Sequence, residues 1–541
     1  MSKVQKNFLS GALILTVANV IVKIIGAIYK IPLANLITPT GMDYYNDAYQ
    51  IYSLLFVIST AGVPVAIAKL VSESIVAGRL REPKKILGIS LKMFAVISFS
   101  LMVLVIVFAR PLSLMLSNNS TNYCIYMIAP SIFLVIISAA IKGYFQGYKC
   151  MTPSAAYQVI EAAFKLFGLA IIFIMIRRGI TDVMILACGG VLGVTFGSFA
   201  SAVFMIIRVL SEKELGKDTE GSLPSGKSSK IAKNIITLAI PISLSSAVMS
   251  VTSTLDMFLV KWNLKYFYSA AGEVGDKLTD LVKSTYGAYV GATSSLFNLP
   301  QAVTVTVGVA VLPFLTTAFA KKDRQEAFSN MRSSSKLVGM IAMPCTLGLS
   351  FLSEPIVKLL YSQSYWSVGI STLRILALSV YFVSFSSLTG VFLQSVGKVS
   401  TALLSMGAGA VIKLTANIVM VRLIGIMGAP VGTFLCYATI VILNMLFIKK
   451  YIGFSFPAAD TFIKPFICSL ISCSLAFLAW YFSAKFINSN IVCLAMALIV
   501  AGVVYTASIF LFRLLSKEDM ALLPKGDKLG RLLEKYNLIK D

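Results

Sequence analysis

Met184-Ile-Leu-Ala-Cys-Gly189-Gly-Val-Leu-Gly193-Val-Thr-Phe-Gly197-Ser-Phe-Ala-Ser-Ala-Val-Phe-Met-Ile-Ile-Arg208 runs for 24 residues before its first charge, the closing arginine. About 20 such residues cross the hydrocarbon core of a bilayer as a helix. The apolar residues are continuous rather than alternating, so the run is not a strand of a transmembrane barrel. Outward from this segment, runs of similar length recur near 8–28, 50–77, 86–108, 123–145 and 154–176 on one side, and near 234–260, 288–319, 336–353, 368–394, 399–421, 427–448, 463–483 and 490–513 on the other. The spacing predicts an all-α polytopic membrane protein with fourteen transmembrane helices. Several runs contain proline (Pro64, Pro130, Pro241, Pro300, Pro313), which a membrane helix tolerates where neighbours satisfy the freed carbonyls.

Composition agrees. Of 541 residues 57% are hydrophobic and 13% charged, against about 45–50% and about 25% in a soluble domain. There is no histidine, which excludes His-ligated zinc, Ser-His and Cys-His catalysis, and a histidine pH switch. The eight cysteines form no Cys-x-x-Cys pair and fall in or beside apolar runs, where they read as small hydrophobes. Neither a metal nor a cofactor is expected. Residues 8–28 follow Lys3 and Lys6, but the run is long, carries Lys23, and lacks a small-residue cleavage site after it. It is read as an uncleaved first span rather than a signal peptide.

The net charge is +24, and most of it is topology. With fourteen spans, the segments on the side of the N-terminus hold 30 Lys and Arg, with Lys142 and Lys336 at the span ends counted among them, and those on the other side 11, with Lys261 among them. The positive-inside rule then places both termini in the cytoplasm; no nucleic-acid partner is needed to explain the excess. The longest polar break, 211–233, is rich in Gly, Ser and charge and reads as a flexible linker. It divides an N-lobe, 1–210, from a C-lobe, 234–448. Spans 13 and 14 (449–513) and a cytoplasmic tail (514–541) follow. Gly143-Tyr-Phe-Gln146-Gly147-Tyr-Lys149 and Gly390-Val-Phe-Leu-Gln394-Ser-Val-Gly397-Lys398 end spans 4 and 10, a faint repeat of the kind that paired transporter lobes carry. Gly189, Gly193 and Gly197, and Gly428 with Gly432, are spaced for close helix packing. Asn118 and Asn119 head Asn-x-Ser/Thr sequons on an outer loop, which matter only in a glycosylating secretory pathway.

Nine ionisable residues remain inside spans: Lys23, Lys69, Lys92, Lys165, Arg374, Lys413, Glu73, Glu161 and Asp256. At about 2.5–3.5 kcal/mol each, nine facing lipid at mid-depth would cost on the order of 20–30 kcal/mol. That exceeds the roughly 5–15 kcal/mol stability of a domain. Most therefore face a water-filled cavity or a partner; Lys92 is near enough to the cytoplasmic end to snorkel. Helical phase gives several spans one polar face each. Thr16, Asn19, Lys23, Gly26 and Lys30 share a stripe, as do Gly62, Ala66, Lys69 and Glu73. Ser154, Gln158, Glu161 and Lys165 form a third; Ser245, Thr252 and Asp256 a fourth; Ser294, Asn298 and Gln301 a fifth; Gly409, Lys413 and Asn417 a sixth. The expectation is a central cavity lined by both lobes. Lys69/Glu73 and Glu161/Lys165 are also i, i+4 pairs able to neutralise each other. Asp43 and Asp47 are read as solvating an outer loop beside Tyr44 and Tyr45; an alternative, a membrane glycosyltransferase, would use them as catalytic carboxylates.

Two blocks carry a resemblance. Ser59-Thr-Ala-Gly62-Val-Pro64-Val-Ala-Ile-Ala-Lys69-Leu-Val-Ser-Glu73 resembles the second-span signature of the bacterial oligosaccharidyl-lipid and polysaccharide flippases. Lys142-Gly143-Tyr-Phe-Gln146-Gly147, followed by Pro153, Gln158 and Glu161, is similar to their fourth-to-fifth-span block; Tyr286-Gly287, Leu299-Pro300 and Leu312-Pro313 also match. The branch is that of stage V sporulation protein B and the Gram-positive lipid II flippases. The resemblance implies a MATE-like fold, two pseudo-symmetric six-helix lobes plus two C-terminal helices. It implies movement of undecaprenyl-pyrophosphate-linked saccharides, such as the peptidoglycan precursor lipid II, from the inner to the outer leaflet of the bacterial plasma membrane. It also implies cationic residues at work in spans 1, 2 and 8, and a lipid-tail groove in spans 13 and 14. Lys23, Lys30 and Lys69 fit the first two spans, whereas 288–319 holds no Lys or Arg. Sodium-binding relatives use carboxylates in spans 7 and 11; Asp256 fits the first, but span 11 offers Lys413 and Asn417.

The expected substrate contacts are Lys23, Lys30, Lys69, Lys165, Lys413 and Arg374 for phosphate, and Asn19, Asn298 and Gln301 for sugar, with Glu161, Asp256, Asn417 and Glu73 in coupling. The expected partners are the lipid-linked saccharide, the bilayer, and cell-wall or spore-envelope synthesis machinery, with the chain a monomer. The competing readings are a multidrug or cation antiporter of the same superfamily, the glycosyltransferase, and a passive scramblase.

Overall fold

A computed structural model describes residues 3–115, 120–212, 226–512 and 514. The sequons at Asn118 and Asn119, residues 213–225 of the expected linker, nearly all of the 514–541 tail, and the side chains of Thr16 and Ser245 lie outside the described residues. No strand occurs among the described residues. In chain order the helices are α1 (Lys3–Val76), α2 (Glu82–Val107), α3 (Ala109–Met115), α4 (Thr121–Gly147), α5 (Thr152–Lys165), α6 (Phe167–Arg177) and α7 (Val183–Ser211). Then come α8 (Ser228–Ala270), α9 (Gly275–Ala288), α10 (Ser294–Ala320), α11 (Arg324–Phe351), α12 (Ser353–Leu360), α13 (Trp366–Leu376) and α14 (Leu378–Ser395). The last four are α15 (Val399–Ile424), α16 (Gly428–Tyr451), α17 (Lys464–Phe486) and α18 (Asn490–Leu511).

Twelve helical stretches among the described residues are long and apolar enough to cross a membrane. Two of them, Val17–Val76 and Val399–Tyr451, are 60 and 53 residues long; a count of fourteen crossings divides each in two. The first is interrupted at Thr38, which has φ 61° and ψ 173°. Pro39 excludes the helical region for its predecessor, and a β-branched residue at positive φ marks a sharp local break. The second is interrupted by the Gly425–Met427 turn, where Gly425 has φ 62°.

Spans 5 and 10 each comprise two helices that meet at Leu166 and Ala377, but both residues keep helical dihedrals (φ −60°, ψ −23° and φ −55°, ψ −34°), so each span runs on through its joint. Near the first joint, Gly168 lies against the backbone of Gly193, where an added Cβ would fall 3.0 Å from its Cα. Two expectations are corrected. Residues 228–233, read as linker, already belong to α8. Residues 39–49, read as an outer loop, are helical, and their tyrosines pack inward: Tyr44 and Tyr45 are 9% and 3% exposed.

The contacts group residues 1–261 with 273–287 in one unit, and 262–272 with 288–541 in another. Within the first unit α4 is the central span and packs on α1, α2 and α7; 67% of its apolar window is buried, against 22% for α2. The outward face of α2 carries Val96, Phe99, Val103 and Val107, a surface that suits lipid. The second unit has its core where Phe385, Phe392 and Leu393 of α14 meet Val311 and Leu315 of α10, Met331 and Val338 of α11, and Val441 and Ile448 of α16. The small-residue patterns do set close approaches. A Cβ on Gly193 or Gly197 would fall 2.6 or 2.5 Å from the carbonyl oxygens of Lys165 or Glu161, and one on Gly428 would fall 2.4 Å from the carbonyl carbon of Met420.

Candidate functional site

The polar face of the second half of α1 runs Ser59, Gly62, Ala66, Lys69, Glu73. Lys69 Nζ and Glu73 Oε1 are 3.8 Å apart, with side chains 57% and 54% exposed. An ion pair so exposed contributes about 0–1 kcal/mol, so this pair does not hold the fold and its ammonium stays available. On the first half of α1, Asn19 and Lys23 are exposed and Lys30 is half-buried.

Glu161 and Lys165 form a tighter pair one turn apart on α5, Nζ to Oε1 3.0 Å, with side chains 8% and 21% exposed. The Tyr52 hydroxyl donates to Glu161 Oε1 at 3.5 Å. Beside them is a residue that sequence reasoning assigned to a cytoplasmic loop. Lys142 lies inside α4, 7% exposed, and its ammonium sits 4.0 Å over the Tyr157 ring. Tyr157 and Glu161 are one turn apart, so this interior brings two ammonium groups to one carboxylate. Gln146 donates to Ser154 Oγ at 3.2 Å and joins the same α4–α5 contact. Lys336, likewise counted as a loop residue, is within α11 and 7% exposed.

Asp43 and Asp47 are the largest correction. Both are 0% exposed, and Lys261 of α8, counted as an outer-loop lysine, is 4% exposed between them, with Nζ 2.5 Å from Asp43 Oδ1 and 2.5 Å from Asp47 Oδ1. Thr121, at the start of α4, donates to Asp47 Oδ2 at 3.5 Å, and the Tyr286 ring lies 5.0 Å from the same ammonium. Lys283 of α9 donates to the Tyr44 hydroxyl at 3.4 Å. At Gly287 the backbone comes so close to Pro39 that a Cβ would fall 1.8 Å from its carbonyl oxygen. The two aspartates therefore do not solvate a loop. They tie α1, α4 and α8 together and present no free carboxylate to a substrate. The i, i+4 spacing of Asp43 and Asp47 was the available signal, on a stretch too polar to be counted as a span.

Of the remaining expected residues, Asp256 is half-buried on α8. In the second unit, Asn298 is exposed and donates back to Ser294 O at 2.8 Å, and Gln301 is half-buried on the same helix. Arg374 is exposed in the last turn of α13, its Nε 3.4 Å from Ser353 Oγ. Lys413 is half-buried on α15. Asn417 is fully buried and points at α16, where a Cβ on Gly432 would fall 2.1 Å from its Oδ1. Among the described residues no group of three or more His, Cys, Asp and Glu is arranged to hold a metal ion.

This architecture, a helical membrane protein with buried lysines and paired carboxylates in its first unit, has counterparts of known family. Residues 8–319 match the model described as polysaccharide biosynthesis protein. The chain belongs to the polysaccharide biosynthesis protein family. Residues 283–419 match a second model, MatE. Among curated relatives, stage V sporulation protein B of Bacillus subtilis (strain 168) is 24% identical over 98% of this chain and 99% of its own length. Lipid II flippase MurJ of the same organism is 23% identical over 84% of each. Among solved structures, a lipid II flippase MurJ in an inward closed conformation superposes with a TM-score of 0.72 at 16% identity, covering 92% of this chain and 98% of that one. An inward-facing multidrug resistance MATE family transporter gives 0.61 at 14% identity, covering 83% and 98%. The fold of this family member is thus the MurJ and MATE fold, as the sequence blocks implied.

Proposed function

We propose that this family member is a flippase for undecaprenyl-pyrophosphate-linked saccharides, lipid II in particular, carrying them from the inner to the outer leaflet by alternating access. The observation that carries the reading is the surplus of cations in the first unit: Lys142 and Lys165 around the single Glu161, with Lys23 and Lys69 exposed on α1. A pyrophosphate cannot enter hydrocarbon without replacing its water shell, and ammonium groups replace it with charge-assisted hydrogen bonds. The buried cluster at Asp43, Asp47 and Lys261 sets two carboxylates around one ammonium and has no cation to spare, so the substrate charge goes to the lysines on α1 and α5. Lys413, Arg374, Asn298 and Gln301 serve from the second lobe, and α17 and α18 receive the lipid tail.

An inside-negative potential contributes about 2.3 kcal/mol per charge per 100 mV. Outward movement of roughly two negative charges is then favoured by about 4–5 kcal/mol per 100 mV, so the potential itself drives the cycle. Asn417, packed on Gly432, leaves α15 without the carboxylate that a sodium site would use. The protein is a transporter of the plasma membrane, with both termini cytoplasmic, and acts as a monomer without a cofactor. The test is complementation of a flippase-depleted bacterium by the wild-type chain, Lys23→Ala and Lys69→Ala. Rescue by the wild type and loss of rescue in both variants is expected; full rescue by both variants removes the cationic mechanism.

A further inference from the structure

The first unit holds a second feature that no expected site residue accounts for. A cavity of about 400 Å³ opens between α1, α2, α4 and α8. Ile58, Phe94, Ile97, Ile136, Ile240 and Leu244 give it its character. Of its two hydroxyls, that of Ser59 is spent on Leu55 O at 2.7 Å. Its volume is that of a ligand pocket, roughly 300–1,000 Å³, and water has too few polar partners there to occupy it. At its edge α1 touches α8: a Cβ on Gly62 would fall 2.3 Å from Ala239 O.

The position of the cavity along α1 is informative. Ser59, which lines it, shares a helix face with Gly62 and Lys69. At 1.5 Å per residue, Lys69 lies about 10 Å from the helix end at Val76, and Val63 to Ile58 lie about 20–27 Å from it. The order from that end is therefore an exposed ammonium at shallow depth, then an apolar cavity near mid-membrane. With α1 ending at the cytoplasmic surface, this is the order of an anionic lipid standing in the inner leaflet.

We infer that this cavity receives the hydrocarbon chain of an inner-leaflet isoprenoid phosphate, with Lys69 beneath its phosphate. The inference rests on the flippase reading and names a loading site for the same substrate on α1, α2, α4 and α8, distinct from the tail groove on α17 and α18. A chain leaving bilayer lipid for this cavity gains little hydrophobic free energy, because lipid tails are as apolar as the lining. Selectivity then comes from shape around the branched chain, and affinity from the ammonium.

The experiment uses the full chain in liposomes and a diazirine-bearing polyprenyl phosphate, with cross-links mapped by mass spectrometry. Labelling is expected on 58–63, 94–101 and 236–247, competed by unlabelled polyprenyl phosphate and not by phosphatidylglycerol. Leu244→Trp and Ile97→Trp, both on lipid-accessible positions, fill the cavity and are expected to reduce labelling at least about fivefold without altering the size-exclusion profile. Lys69→Gln is expected to reduce labelling by the phosphate probe about fivefold, from a single lysine near a membrane surface, and to leave a matching polyprenol probe unaffected. Labelling confined to 464–511 overturns the inference, as does equal, uncompeted labelling by a diazirine phosphatidylglycerol. Flipping is measured in the same vesicles. Labelling without flipping retires the flippase reading and keeps the site; flipping without labelling retires the site alone.

Discussion

Lys261→Met removes the ammonium that lies between Asp43 and Asp47. All three side chains are at most 4% exposed, so water cannot take its place. Breaking a buried ion pair by deleting one partner costs about 3–5 kcal/mol, because the other charge is left buried and uncompensated. With roughly 2–4 °C per kcal/mol in a domain of about 150–250 residues, the expected fall in Tm is on the order of 10 °C. The assay is thermal unfolding of the purified protein in one detergent. The triple variant Lys261→Met, Asp43→Asn, Asp47→Asn removes all three charges and is expected to recover most of that loss. The coupling between the three substitutions is what separates an ion cluster from simple packing. A Lys261→Met protein that unfolds within about 1 °C of the parent refutes the reasoning, as does a triple variant no better than the single one.

Other outcomes follow from the same geometry. Glu161→Gln leaves Lys165 without its carboxylate and is expected to lower Tm by several degrees; adding Lys165→Met restores stability but not transport, which separates the structural share of the pair from its phosphate contact. Gly193→Val places side-chain atoms against the Lys165 carbonyl at a 2.6 Å approach, and Gly287→Ala places a Cβ 1.8 Å from Pro39 O; both are expected to abolish the monodisperse size-exclusion peak, whereas Gly26→Ala, in open space, leaves it unchanged. Collapse of a 100 mV inside-negative potential is expected to slow outward flipping in proteoliposomes, while replacement of sodium by potassium on both sides at constant potential has no effect.

Much of this was legible in continuous stretches of sequence. The run at 184–208 is the body of α7, the small residues at 193 and 197 meet α5 as their spacing implied, and the i, i+4 pairs at Lys69/Glu73 and Glu161/Lys165 are within ion-pair distance. Those features are local, set by helical rise and phase. What was not legible depends on partners far along the chain. Lys261 meets Asp47 across 214 residues, and no local pattern marks a lysine near a span end as buried rather than solvated. Lys142 was counted with a loop because it precedes the polar Gln146-Gly147-Tyr148-Lys149 turn, yet α4 continues past it and Tyr157 of α5 covers its ammonium. Close packing such as that of Gly168 on Gly193 is likewise a property of the assembled unit, which no single segment announces.

The central claim, outward movement of a polyprenyl-pyrophosphate-linked saccharide, is tested most directly by a leaflet-resolved flipping assay. The purified chain is reconstituted into liposomes that carry lipid II in the inner leaflet only. An inside-negative potential is imposed without sodium, and lipid II reaching the outer leaflet is captured by a membrane-impermeant reagent. The account predicts outer-leaflet capture that depends on the protein, rises with the potential and is lost in Lys69→Ala. Capture no faster than in protein-free vesicles, or equal in wild type and Lys69→Ala, contradicts it.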